Sequence, residues 1–330
     1  MKSTAVAHSN IALVKYWGKR DEKLFLPMNS SISMTLDKLS TKTTVEFSDS
    51  LKEDDVTLNN SRPTGGDLEE ITAHLDRVRR AAKVKEKAKV VSENNFPTAS
   101  GLASSASGLA ALTVAASAAA GLKLDSRQLS ILARQGSGSS SRSIMGGFVE
   151  WTKGDKSDGS DSYATQLASE KDWEGVGMLV TVLTRKAKKV RSRAGMAQTL
   201  RTSPLYKGWL DSVEADLESV RKGIKSRDFG LVGRTAEENC LKMHATMLTT
   251  KPSIIYWLPV SMEVIHSVIE WREAGLECYF TIDAGPHVKI WCKDKDVQEL
   301  RQRLSSIQGI EEVIHAKPGP DARLVKEHFF

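Results

Sequence analysis

The sequence predicts a two-domain protein, with a strand-rich N-terminal half and a C-terminal half dominated by helices. Three observations carry that prediction. A length of 330 residues exceeds what one ordinary core fills. Short β-rich runs, broken by Gly18, Pro27 and Asn59-Asn60, crowd the first sixty residues. Beyond residue 190, apolar side chains recur at intervals of three and four. The changeover falls within 185–195 and is drawn at 188/189, giving domains 1–188 and 189–330.

Strands are expected at 3–7, 11–16, 31–36, 43–47 and 56–59, forming an antiparallel sheet. After the turn at 63–66, helix 67–82 carries Leu68, Ile71, Leu75 and Val78 on one face and should cover that sheet. Strand 88–92 runs into a small-residue loop and then helix 105–120. This Ala-rich helix contains Thr113 and Ser117 and is too short for a membrane span, so it reads as buried. Helix 126–134 should be capped by Asp125 or Ser126. A Ser/Gly loop at 135–142, strand 148–152, an acidic loop at 154–162 and the apolar strand 176–183 complete this half.

In the second half, Ser203-Pro204 has the N-cap and N1 arrangement, and Leu205, Trp209, Val213, Leu217, Val220 and Ile224 trace one helical face. Helices 229–248 and 262–271 follow. A hairpin of 277–282 and 288–292 turns around Asp283-Ala284-Gly285-Pro286, and helix 297–304 precedes strand 311–316.

With 40% hydrophobic and 27% charged residues, the composition excludes a disordered chain. His8, Ser9, Asn10 and Lys15 interrupt the first fifteen residues, so no signal-peptide core is read there and a cytoplasmic location is expected. Cys240, Cys278 and Cys292 lack CxxC spacing and cannot supply a metal quartet. They are expected as reduced structural thiols, although Cys278 and Cys292 are equidistant from Gly285 and could face each other across the hairpin. The net charge of +6 suits an anionic partner, either nucleic acid or a phosphorylated small molecule. Its one concentrated patch is 185–193, six Lys or Arg in nine positions, with no aromatics interleaved for stacking on single strands.

The stretch 93–110, ENNFPTASGLASSASGLA, carries the strongest chemical signal. Small residues let backbone N–H groups approach an anion, the following helix adds its positive dipole end, and Ser100, Ser104, Ser105 and Ser107 add hydroxyl donors. A turn that merely caps a buried helix has similar composition. Pro97, Gly101 and Gly108, in strand–loop–helix order, favour the phosphate loop. Segments 10–20, 137–142 and 186–193 are also rich in anion donors, and Asp283 stands apart as a carboxylate in a hairpin turn, where an Asx-type structural role is the plain alternative.

Together with SNIALVKYWGKRDE, LPMNSSIS, GSGSSSRS, DSYA, SRAGM, MHATML and DAGP, these segments resemble the mevalonate diphosphate decarboxylases across nearly the whole chain. That family lies within the small-molecule kinases related to galactokinase, homoserine kinase and mevalonate kinase. The resemblance implies an α+β, two-domain small-molecule kinase fold, with an N-terminal domain like the second domain of ribosomal protein S5, a helical α+β C-terminal domain, and a site in the cleft between them. It also implies ATP and Mg²⁺ as cofactors, a homodimer, and neither nucleic acid nor membrane as partner. The expected reaction phosphorylates the C3 hydroxyl of mevalonate 5-diphosphate, then expels phosphate and CO2 to give isopentenyl diphosphate.

Matched position by position, the resemblance assigns Pro97, Ser100, Gly101, Leu102, Ala103, Ser104, Ser105 and Ser107 to the ATP phosphates, with Ser105 near Mg²⁺. Ala103, where the wider group has Gly, marks the decarboxylase version of the loop. Asp283 matches the catalytic aspartate. With an ordinary pKa of about 3.9 it accepts the alcohol proton as phosphoryl transfer proceeds, not beforehand. Arg142 matches the arginine at the carboxylate end, assisted by Ser139 and Ser141, and Asn10 and Lys188 match polar residues near the reacting groups. Tyr16, Lys19, Ser192 and Arg193 match residues that hold the 5-diphosphate. Two departures, His287 for the usual Asn and Arg191 for a small residue, bear on the substrate. Mevalonate 5-phosphate and 3,5-bisphosphate are alternatives, as is a kinase that does not decarboxylate.

Overall fold

Two sheets share a core that neither half of the chain completes alone. The computed structural model describes residues 1–96 and 104–330. The first sheet runs Arg323–Val325, Lys2–Val14, Ser31–Ser48, Lys87–Asn94, Asp55–Leu58, with Phe148–Trp151 also on Ser31–Ser48 and Ala164–Ala168 beyond it. All pairs are antiparallel except the last, where Asp55–Leu58 runs parallel to Lys87–Asn94. The second sheet is antiparallel in the order Tyr279–Ile282, Val288–Lys293, Val176–Val182, Glu312–Ala316.

Segments expected as pairs of short strands are single long ones. Lys2–Val14 absorbs 3–7 and most of 11–16, ending before Lys15 and Tyr16, and Ser31–Ser48 absorbs 31–36 and 43–47. Register shifts between His8 and Asn10 and between Ala12 and Val14 let the two long strands stay paired while they bend. Asn10 stands immediately after the first shift and Lys15 just after the second.

Helices Gly66–Ala82 and Ser104–Ala119 pack on one face of the first sheet, joining Ile71, Leu75, Val78 and the alanines 110, 111, 115 and 116 to Ala5, Ala7, Val45 and Val90. Alanine's small side chain lets the second helix lie close to the strands. Asp125 caps helix Ser126–Arg134, accepting from Gln128 N while the Gln128 side chain accepts from Asp125 N. This helix leads into the site, and Asp125→Ala should lower unfolding stability by about 1 kcal/mol in denaturant titration.

Helices Pro259–Glu273 and Val297–Ser305 cover one face of the second sheet through Val264, Val268, Leu300 and Leu304. Its other face meets helices Tyr206–Ser226 and Phe229–Leu248 and the first sheet in one core containing Ile11, Leu13, Met34, Val180, Leu217, Val232 and Trp291. Burial on both faces accounts for the strand Val176–Val182 being apolar throughout but for Thr181, whose hydroxyl donates to Val288 O.

By sheet membership the chain changes layers between Ala168 and Val176, ahead of the 188/189 boundary expected from sequence, and Arg323–Val325 returns to the first sheet. Helix Ser192–Thr202, unanticipated, precedes Tyr206–Ser226. Ser203-Pro204 therefore does not open the later helix. Ser203 follows Thr202, its hydroxyl paired with that of Thr249 at 2.9 Å, and Leu205 is the N-cap. All three cysteines are buried free thiols, and burial pushes Cys278 and Cys292 up to about 12.

Candidate active site

A cavity of about 730 Å³ opens between the first sheet, the start of helix Ser104–Ala119, the 3-10 helix Gly138–Ile144, the start of helix Ser192–Thr202 and the hairpin at Asp283. Asn10, Tyr16, Lys19, Ser104, Ser105, Ser139, Arg142, Lys188, Ser192, Arg193 and Asp283 all line it. Segments far apart in sequence thus converge.

Asp283 follows strand Tyr279–Ile282. Its Oδ1 accepts from Lys15 Nζ at 2.7 Å, and Lys289 Nζ stands 3.8 Å from Oδ2. Both lysines are buried. Burial alone raises the aspartate pKa, but Lys15, Lys289 and Arg142 outweigh it and hold the carboxyl below its ordinary value. Burial dominates for the lysine instead and brings Lys289 down to about 8. Lys15 is itself positioned: its Nζ donates to Ala12 O, its N–H donates to Asn239 Oδ1, and its carbonyl accepts from Asn29 Nδ2.

Arg142 is buried against the sheet. Nε donates to Asn10 Oδ1 at 3.2 Å and Ser33 Oγ at 3.0 Å, and Nη1 donates to Ser31 Oγ. Asn10 Nδ2 in turn donates to Ser143 Oγ and Ser139 O. Burial lowers the guanidinium to about 10, which leaves it charged at neutral pH. Lys188 Nζ reaches Ala284 O at 2.7 Å and Ser192 Oγ at 2.6 Å, joining the basic segment to the aspartate hairpin. Burial brings it down to about 8.

Farther along the cavity, Tyr16 stacks edge-on to Trp151, and its hydroxyl is buried with no partner among the described residues. Gly138 permits this packing, because a Cβ there would meet Trp151 at 2.7 Å and Tyr16 at 2.8 Å. Lys19 pairs with Glu22, and Arg193 with Glu70 at 3.0 Å. The basic patch is therefore divided: Arg185 pairs with Glu311 and Glu312, Arg191 with Asp67, and Lys188 turns inward.

Two expected ligand contacts point elsewhere. Ser107 is buried toward the sheet, bonded to Ser9 and Thr41 at 3.2 and 2.7 Å, because it lies on the helix face that packs against the strands. Ser141 is buried within its 3-10 helix, donating to Gly138 O at 2.7 Å. Pro97, Ser100, Gly101, Leu102 and Ala103 lie outside the described residues. His244, within MHATML, contacts Ile282 O, packs on Trp257, and burial lowers it to about 3.

Sequence reasoning missed Lys15, Lys289, Ser31 and Ser33. The signal for both lysines was present, since each interrupts an apolar strand where an unpaired ammonium is costly.

The arrangement provides one carboxylate held ionised by cations, a buried guanidinium, and further cations along the cavity that are paired with acidic side chains, suited to proton acceptance beside an anionic substrate. Among the described residues no cluster of three His, Cys, Asp or Glu side chains is poised to hold a metal. Ser104 and Ser105 instead offer hydroxyl oxygens, which fits Mg²⁺ held largely by phosphate oxygens and water.

Residues 7–164 match the Diphosphomevalonate decarboxylase-like N-terminal domain, and residues 178–324 match the Mevalonate 5-diphosphate decarboxylase C-terminal domain. The chain is 39% identical to the human diphosphomevalonate decarboxylase over 90% of its own length and 78% of the relative's. It is 37% identical to the Ganoderma lucidum diphosphomevalonate decarboxylase, covering 91% and 80% respectively. The mevalonate diphosphate decarboxylase of Staphylococcus aureus superposes with a TM-score of 0.93 at 43% identity, covering 98% of each chain. A structure described as MDDEF in complex with MVAPP, AMPPCP and magnesium matches with a TM-score of 0.93 at 43% identity, over 99% of each chain. With both halves of the chain matched and the cavity between them, the chain belongs to the mevalonate 5-diphosphate decarboxylase family.

Proposed function

We propose that this protein catalyses the ATP-dependent decarboxylation of mevalonate 5-diphosphate to isopentenyl diphosphate, with release of ADP, phosphate and CO2. The observation that carries the reading is the cationic enclosure of Asp283, which keeps a carboxylate ionised where a substrate hydroxyl would lie. It is supported by the related complex with MVAPP, AMPPCP and magnesium. Bound ATP with Mg²⁺ supplies the phosphoryl group that turns the tertiary hydroxyl into a good leaving group.

In this reading Asp283 accepts the hydroxyl proton during transfer, and Lys15 and Lys289 hold its carboxylate ionised and oriented. Arg142 grips the substrate carboxylate, with Asn10 and Ser139 fixing its environment. Lys188 stabilises charge near the reacting centre. Tyr16, Lys19, Ser192 and Arg193 hold the 5-diphosphate, and the Tyr16 hydroxyl, without a partner among the described residues, suits a phosphate oxygen. Ser104 and Ser105 serve the nucleotide, with Ser105 toward Mg²⁺. By the same resemblance the protein is proposed to be a cytoplasmic homodimer. Among the described residues no helix is long and apolar enough to cross a membrane.

The substrate is tested by offering mevalonate 5-diphosphate, 5-phosphate and 3,5-bisphosphate, each with and without ATP, and following CO2. Release from the 5-diphosphate only with ATP is expected. Preference for either other compound would reassign the substrate, and a single-chain mass by light scattering would remove the dimer.

The pH profile follows from the Asp283 environment. Its pKa is depressed, so the active carboxylate persists as pH falls through the ordinary carboxylate range, and the acid limb of kcat from this group lies below it. Removing the Lys15 charge raises that pKa. Lys15→Met should therefore move the acid limb to higher pH and lower kcat, and an unmoved limb would separate Lys15 from the carboxylate's ionisation.

A further inference from the structure

Resting on the diphosphate assignment above, we propose that Glu22 and Glu70 are exchangeable counter-ions. In the ligand-free protein they neutralise Lys19 and Arg193, and a phosphorylated ligand displaces them, so that they set a threshold of ligand charge for binding.

The asymmetry of the Lys19–Glu22 pair points to exchange. The lysine side chain is 1% exposed and the glutamate 61% exposed, at 2.5 Å. A buried ammonium needs a counter-charge, but a solvent-exposed carboxylate gives up that place at little cost when another anion takes it. The neighbouring backbone is anchored: Leu24 N donates to Asp21 Oδ1, and Leu24 O accepts from the buried Arg134. Movement of Glu22 thus falls to its side chain.

Arg193 is paired from another element, its Nη1 3.0 Å from Glu70 Oε1 on helix Gly66–Ala82, and here both partners reach solvent, so this pair too separates readily. The Phe25 ring ties the two cations together, lying 4.5 Å from Lys19 Nζ and 4.9 Å from the Arg193 guanidinium. Beside them is Tyr16, which lines the same cavity and whose buried hydroxyl has no partner among the described residues. Glu22 bears on that hydroxyl too, its negative charge opposing ionisation of the phenol after burial has already done so. Two cations already paired, and a donor with no partner among the described residues, describe a site that exchanges a carboxylate for a phosphate.

Calorimetric titration of the full chain with inorganic pyrophosphate, mevalonate 5-diphosphate and unphosphorylated mevalonate tests this, comparing wild type, Glu22→Gln and Glu70→Gln. Each variant should bind both diphosphates roughly three- to tenfold more tightly at low salt, with the gain shrinking as salt screens the charges. Affinity for mevalonate should not change, and KM should fall without a rise in kcat. Because the two carboxylates sit on different elements, one variant suffices if the other fails to fold. Diphosphate binding no tighter than wild type, or equal tightening for mevalonate, overturns the counter-ion role. Failure of the wild type to bind either diphosphate overturns the diphosphate assignment instead.

Discussion

Asp283→Asn should lower kcat by roughly 10³-fold, within the range attributed to a positioned general base, while substrate affinity is kept. The amide preserves shape and removes the proton acceptor. It also leaves Lys15 and Lys289 without the carboxylate between them, so an anionic substrate meets more positive charge and should bind at least as well. Rapid-quench turnover alongside calorimetric binding checks both parts. A variant that turns over at the wild-type rate would falsify the general-base assignment, and one that loses binding and turnover equally would make the aspartate a binding group.

Arg142→Ala should lower kcat/KM at least about a hundredfold, through both kcat and KM, as expected when a buried, hydrogen-bonded charge is truncated. The guanidinium engages Asn10, Ser31 and Ser33 and lines the cavity, so its removal leaves several buried polar groups unpaired. Arg142→Lys should restore little, since a point-charge ammonium cannot reproduce the planar fork. Steady-state kinetics at a temperature where circular dichroism shows the variant still folded separates this from misfolding. Full activity in the lysine variant would show that charge alone matters.

Much of the architecture was legible because local pattern and tertiary role agree. Helices Ser126–Arg134 and Phe229–Leu248 carry their boundaries in Asp125, Asp228 and the apolar spacing between. Where the sequence misled, long-range pairing was responsible. Bulges near Ser9 and Leu13 keep one long strand continuous through polar residues that look like a break. Helix Ser192–Thr202 was hidden because its first residues face the cavity and not the core, and the layer change before Val176 depends on partners more than a hundred residues away. Within the site, Asp283, Arg142 and Lys188 were legible only through the resemblance. Lys15 and Lys289 were visible as lysines in apolar strands, but only the folded chain shows that they converge on one carboxylate. Ser107 was misplaced because loop composition does not reveal which face of the following helix turns to the sheet.

The central claim is that phosphorylation and decarboxylation are coupled on this chain. The measurement that tests it most directly is the stoichiometry of ADP, inorganic phosphate and CO2 formed from carboxyl-labelled mevalonate 5-diphosphate and ATP. Equal amounts of all three, with none formed when ATP is withheld, is the predicted result. ADP accumulating while the label stays in the substrate, or CO2 released without ATP, would contradict it.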